Sequence, residues 1–276
     1  MTVVHRQFRS WYEFVISAAD DSLYAWQRTG KRCSHDRDTR HSWHGSLDFA
    51  ETLDMALHKG WPEGKKMLRD SLAIIAPRPD VYQSINYDVA GAVPLVPLAV
   101  AGDPAAMMDF GEMAVASQPI VRIDYNHWIH AGTDVQAMMN RGAAVLSLAS
   151  KLEARGYSTE LRIIGNSTWA GDVFRYSVTY KRAGENLDLD RAAFAIAHPS
   201  SMRRLAFAIL EQHRELERNL HDSYGMPMRQ ANDTDASVVF IPGPHPRETP
   251  EAAHQAVEDA AAAYLANEGR TRRNVA

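Results

Sequence analysis

Two groups of residues have types and spacings that could do chemistry. Asp124, Asn126, His127 and His130 lie close together in the chain and offer a carboxylate, an amide and two imidazoles. These are the oxygen and nitrogen donors that Zn²⁺, Mn²⁺ or Fe²⁺ accepts. Asp124, Asn126 and His127 form the candidate metal set. In the second group, His198-Pro199-Ser200-Ser201 precedes Arg203-Arg204. A helix started by that proline, with two guanidiniums behind it, could meet an anion. The simpler reading, a helix start capped by His198 or its neighbour, is preferred. A metal-dependent hydrolase or nuclease would use Asp124, His127, His130 and His198 as ligands or acid-base groups, with Arg203 or Arg204 clamping phosphate.

Cys33, His35, His41 and His44, with Asp36 and Asp38 nearby, also gather metal-ligand types. The paired Cys-x-x-Cys half of a zinc site is missing, so an exposed charged loop is the preferred account. No nucleophile elbow, glycine-rich phosphate loop or His-Glu-x-x-His helix occurs in the chain.

The elements that must position these residues follow from periodicity. Ile120 to Asp124 is an apolar strand, and Thr133 or Asp134 then caps a helix with Val135, Met138, Met139, Gly142, Val145, Ala149 and Leu152 on one face, stopping at Gly156. A strand from Ser158 to Ile164 follows. Asn166 to Gly171 reads as a connection, and Asp172 to Lys181 alternates in the manner of an edge strand. A helical region from Leu187 to about Leu220 breaks at His198-Pro199. Ser237 to Ile241 reads as a buried strand ended by Pro242-Gly243-Pro244, and a last helix runs from about Thr249 to Asn267. This order predicts an α/β fold: an open, mostly parallel sheet with helices on both faces.

Ahead of it, residues 1–118 read as a helical and irregular region. Helices are expected around Trp11 to Ala19, from Phe49 to a stop at Gly60, and from Pro62 through Ile75. A short strand is expected near Val93, and a short helix after Asp103-Pro104. The predicted division is 1–118 and 119–276.

In open α/β sheets, ligands sit beyond the carboxyl ends of the strands. That rule adds Asn166, Ser167 and His245 to Asp124, Asn126, His127 and His130 as candidate binding residues, beside His198, Arg203 and Arg204.

The stretch from Ile120 to Ile164, with Asp124-Tyr125-Asn126 at the strand end and Ala143-Ala144-Val145-Leu146 and Lys151-Leu152-Glu153 in the helix, resembles the first half of a von Willebrand factor A-type domain. Strand 172–181, helix 187–220 and Val238 to Pro244 fall where that family places its third strand, second helix and fourth strand. The resemblance implies a divalent cation held at an Asp-x-Ser-x-Ser motif. Here Asp124-Tyr125-Asn126-His127-Trp128 replaces one hydroxyl by an amide and the other by an indole, and Pro242 stands where an Asp is usual. Losing several oxygen ligands weakens a Mg²⁺ site, so Asp124 and Asn126 are read preferentially as loop-capping and turn residues. The resemblance also implies protein partners, AAA-type ATPases among them. More loosely, the chain resembles uncharacterised bacteriophage and prophage proteins.

Composition bounds the rest. The chain has 276 residues, 45% hydrophobic and 23% charged, enough to bury a substantial core. Its net charge of -4 argues against wholesale nucleic-acid binding, leaving only a local patch of Arg203, Arg204, Arg214 and Arg218 for that role. The single cysteine, Cys33, can form no internal disulfide. No secretory h-region or membrane-length apolar run is visible, which predicts a cytoplasmic protein. The expected function is a non-enzymatic interaction or adaptor protein, with the metal-dependent enzyme and the nucleic-acid binder as alternatives.

Overall fold

The computed structural model describes residues 2–20, 40–66, 85–90, 93–110, 119–130, 132–169, 172–216 and 237–275. The fold is α/β, a five-stranded, mostly parallel sheet flanked by helices. Its strands are β1 (Val3–Phe8), β5 (Ile120–Asn126), β6 (Ser158–Trp169), β7 (Asp172–Lys181) and β8 (Val238–Ile241). They lie in the order β1-β7-β6-β5-β8, parallel except at β6/β7. Three further strands, β2 (Ile85–Asp88), β3 (Val93–Pro94) and β4 (Met107–Phe110), form a separate antiparallel sheet in the order β2-β4-β3.

Register sorts the main sheet into two faces. Ile123 and Tyr125 of β5, Leu161 and Ile163 of β6, Phe174, Tyr176 and Val178 of β7, and Val239 and Ile241 of β8 share the buried face. Helix α1 (Trp11–Ala19) packs there, Phe14 stacking on Tyr176 at 5.9 Å between ring centroids. The opposite row mixes polar side chains with apolar ones such as Val238 and Phe240, and its charges stand on adjacent strands in register, Arg122 beside Glu160 and Asp124 beside Arg162.

Three expectations are corrected. β7 is not an edge strand, because β1 pairs with it along Val3 to Phe8. The sequence reading assigned no strand to these residues because Arg6 stands on the inward row, where an apolar residue would have made the alternation visible. Arg6 is held there by a hydrogen bond to Ser17 Oγ (3.2 Å) and by the Phe8 ring, 5.3 Å away. Secondly, β6 continues past Ile164, so Asn166 and Ser167 pair with Arg175 and Phe174 within the ladder and do not form a loop beyond it. Thirdly, the segment after Asp103-Pro104 is strand β4, and the short helix α3 (Val96–Val100) comes before it.

Helix α2 (Phe49–Asp54) starts at a reciprocal cap. The Asp48 carboxylate accepts from Glu51 N–H at 2.8 Å, and that of Glu51 accepts from Asp48 N–H at 3.0 Å. A π-helical turn (Met55–Lys59) carries it to Gly60, whose positive φ ends the helix where the sequence placed the stop. Helix α4 (Val135–Ala154) starts after Asp134 and stops before Gly156 where expected, but neither Asp134 nor Thr133 caps it: the Asp134 side chain makes no capping hydrogen bond and Thr133 Oγ1 has no partner among the described residues. Within 187–216 the chain is helical as α5 (Leu189–Ala192), which runs into a π-helical stretch to Ala197, and after the expected break at His198 as Ser201–Ala206 and α6 (Phe207–Glu211). Helix α7 (Pro250–Val275) closes the chain. One core takes side chains from both sides of residue 118, from Phe8, Phe14 and Phe49 to Tyr125, Phe207 and Tyr264. Cys33, the end of the Pro62 helix beyond residue 66, and residues 217–236 lie outside the described residues.

Gly142 of α4 lies directly against Ala197. A Cβ there would come 2.5 Å from Ala197 Cβ and 2.8 Å from Ala197 Cα. Alanine in place of a helical glycine ordinarily gains about 1 kcal/mol. Overpacking against a buried backbone costs about 1–3 kcal/mol. Gly142→Ala therefore destabilises the protein in urea titration, and a gain in stability would contradict this packing.

Candidate functional site

β5 and β8 end side by side, and the chain leaves β5 through a turn that the sequence dictates. Asn126 Oδ1 accepts from Trp128 N–H at 3.1 Å, and His127 N–H donates to Ile164 O at 2.8 Å, keeping His127 in the ladder. The preferred reading of Asn126 as a turn residue holds. Asp124 does not cap the loop. Its two carboxylate oxygens accept from Arg162 Nε (2.6 Å) and Nη2, a two-point ion pair.

His127 is fully buried. Its Nδ1 lies 3.3 Å from Tyr176 Oη, and its Nε2 has no hydrogen-bond partner among the described residues. Burial pushes its pKa down to about 3 and that of Tyr176 above its ordinary value, so both are neutral near pH 7. Trp128 packs between Phe174, Tyr176 and Phe207 at 5.0–6.0 Å, its indole N–H likewise without a partner among the described residues.

The metal set Asp124, Asn126 and His127 is not assembled. Asp124 is bound by Arg162, the Asn126 oxygen holds its own turn, and His127 is packed against Tyr176. Among the described residues no three His, Cys, Asp or Glu side chains group closely enough to hold a metal ion. The carboxylate, amide and imidazole of this set are thus committed to other partners within the fold.

The anion reading of 198–204 is also corrected. Arg203 is buried, donates to Trp43 O (2.8 Å) and Thr133 O (2.7 Å), and lies 4.7 Å over the Trp43 ring. Burial lowers its pKa to about 10, which leaves it charged at neutral pH. Arg204 Nε donates to Leu47 O at 3.0 Å. Both arginines bind backbone carbonyls of the 43–47 loop. His198 caps as expected, its Nδ1 accepting from Ser200 N–H at 3.1 Å, while Phe194 and Trp61 enclose the ring. Burial lowers its pKa to about 4. His44 is lowered to about 4 by burial first, then by Arg204, His41 and Arg203.

Of the sequence-named residues, His130 and His245 are exposed, Asn166 is half-buried, and Ser167, Asp124, Asn126, His127, His198, Arg203 and Arg204 are buried. His130 Nδ1 accepts from Gly132 N–H at 3.0 Å. His245 lies in the loop fastened to the start of α4 by Asp134 N–H to Pro246 O, 2.9 Å. The Arg214 side chain and Arg218 fall outside the described residues.

Sequence reasoning missed the groups that hold this rim together. Arg141 donates to Glu248 through Nε (2.8 Å) and Nη2, and through Nη1 to Pro242 O (2.9 Å). Asn140 Nδ2 donates to Glu248 O at 2.9 Å. A charged Arg141 beside Met138, Gly142 and Val145 on the apolar face of α4 was the readable signal of a buried ion pair. Arg162 could have been found by aligning the apolar runs of β5 and β6.

A family model described as a domain of unknown function, DUF7192, matches residues 2–269. The chain belongs to the DUF7192 family. The match takes in β1 and α7 as far as residue 269, so the DUF7192 unit spans both regions on either side of residue 118. No curated protein and no solved structure matches the chain.

The buried neutral histidines make the stability of this DUF7192 chain depend on pH. Unfolded histidine binds a proton below about pH 6.5, whereas His127 and His198 resist until about pH 3 and 4. The unfolded state therefore holds more protons in this window, and stability falls as the pH is lowered from 6.5 towards 4. The slope is about 1.4 kcal/mol per pH unit for each histidine. Urea titrations of His127→Gln across this window should show the slope reduced by one histidine's share, and an unchanged slope would contradict the assignment.

Proposed function

We propose that this chain is a non-enzymatic interaction or adaptor protein that binds a protein partner at the strand-end rim. The observation supporting this reading is that the rim's reactive side chains are committed to the fold. Asp124 holds Arg162, His127 meets Tyr176, and Arg203 and Arg204 bind loop carbonyls. What the rim offers outward is the exposed pair His130 and His245 with Arg247 and the edge of the Pro242–Pro246 loop, a contact surface of polar and proline character. An AAA-type ATPase is the partner class to which the von Willebrand A resemblance points. A cytoplasmic setting, in the host cell if the chain is phage-encoded, belongs to the same reading. Among the described residues no helix is long and apolar enough to cross a membrane.

The test is binding of the purified full chain to a purified AAA-type ATPase, by titration calorimetry, with and without His130→Glu and His245→Glu together. Both side chains are exposed, so the double variant keeps wild-type thermal stability while its affinity falls at least about tenfold. Equal affinity of variant and wild type would overturn the rim as the binding surface. Metal-dependent phosphodiester or peptide hydrolysis by the purified chain would overturn the adaptor reading, as would salt-dependent binding to nucleic acid.

A further inference from the structure

A cleft of about 220 Å³ opens where α1 meets the end of β7. β7 ends beside the start of β6, and Gly184 N–H just beyond it donates to Ser158 Oγ at 2.7 Å. The cleft therefore lies at the end of the sheet opposite the strand-end rim. Its wall is aromatic. The rings of Trp11 and Tyr180 meet at 6.1 Å between centroids with 66° between their planes, Leu57 lines the same wall, and the exposed Tyr12 stands at the mouth. The polar atoms of the interior are already engaged. Trp11 Nε1 donates to Ala56 O at 2.9 Å, and the buried Lys181 ammonium donates to Thr159 O at 2.8 Å and pairs with Glu153 at 2.7 Å. The interior thus recognises an apolar group, and a planar ring suits its aromatic walls. A void of about 150 Å³ holds a benzene molecule, so this cleft has room for one ring with a short polar group attached.

The mouth carries both signs of charge. Asp188 caps α5, its Oδ1 accepting from Asp190 N–H (3.1 Å) and Arg191 N–H (3.3 Å), while its Oδ2 lies 3.5 Å from Arg191 Nε. The pair is loose, its side chains being 52% and 54% exposed, and the two terminal nitrogens of Arg191 make no hydrogen bond among the described residues. Glu185 Oε2 accepts from Arg182 N–H at 2.9 Å, whereas its Oε1 is 3.8 Å from the Arg182 guanidinium, beyond hydrogen-bond reach. A ligand of one sign is repelled by part of this mouth, a cation by Arg191 and an anion by Glu185 and Asp188. A ligand with an ammonium and a carboxylate on one carbon meets both, the carboxylate taking the two terminal N–H groups of Arg191 and the ammonium facing the acidic side chains.

We propose that this cleft binds a free α-amino acid with an aromatic side chain. The ring lies against Trp11, Tyr12 and Tyr180, the carboxylate on Arg191, and the ammonium beside Glu185 and Asp188. The site is separate from the rim, goes beyond the adaptor reading and does not rest on it.

Titration calorimetry of the full chain with L-phenylalanine, phenethylamine and 3-phenylpropionate tests it, since the last two lack the carboxylate and the ammonium respectively. Wild type binds L-phenylalanine at least about tenfold more tightly than either. Arg191→Gln weakens L-phenylalanine at least about tenfold and leaves phenethylamine unchanged, and Tyr12→Ala weakens all three ligands. Both variants keep the wild-type thermal midpoint, because the substituted side chains are exposed. Absence of L-phenylalanine binding at millimolar concentration would overturn the proposal. So would phenethylamine or 3-phenylpropionate binding as tightly as the amino acid, or an Arg191→Gln protein with wild-type affinity for it.

Discussion

The structure depends on how Tyr176 is buried. Its ring lies against Gly165, where a Cβ would come within 1.9 Å of the ring, and contacts Phe14 and Trp128 at 5.9 and 6.0 Å. A buried phenol is costly without a hydrogen-bond partner, and so is a buried imidazole. Tyr176 Oη and His127 Nδ1 meet at 3.3 Å and satisfy each other while both stay neutral. One side chain on β7 thereby ties the N-terminal helix, the floor of the sheet and the strand-end rim into one core. β1 adds to this by pairing along β7, which brings the first residues of the chain into the sheet.

The α/β pattern was readable because β5, α4, β6 and β8 carry clean apolar periods, and the stops at Gly60, His198-Pro199 and Pro242 are chemically explicit. β1 was hidden because Arg6 occupies an inward position, and the identity of the edge strand went wrong with it. The end of β6 was misplaced because Asn166 to Thr168 has turn-like composition but pairs with β7 in register. Tertiary pairing overrode local preference there.

At the rim, residue types were legible and their partners were not. Asp124, His127, Arg203 and Arg204 look reactive in one dimension. Their engagement depends on Arg162 one strand away, Tyr176 on an antiparallel neighbour, and carbonyls at 43, 47 and 133. Those distances are set by register and helix packing, which one sequence does not display. The bonds also explain why so many polar side chains are tolerated inside: most of the buried charge sits in two-point ion pairs or on carbonyls, where desolvation is offset. Among the buried polar atoms without a hydrogen-bond partner in the described residues, His127 Nε2, Trp128 Nε1 and Thr133 Oγ1 lie close in sequence at the rim.

The central claim is that the strand-end histidine serves the fold. Nitrogen-detected histidine NMR of the full chain tests it most directly. The account predicts that the His127 ring nitrogens stay at neutral-imidazole shifts from pH 8 to 5 and do not respond to added Zn²⁺ or Mn²⁺. Titration near pH 6.5, or a metal-induced shift at His127, would contradict it.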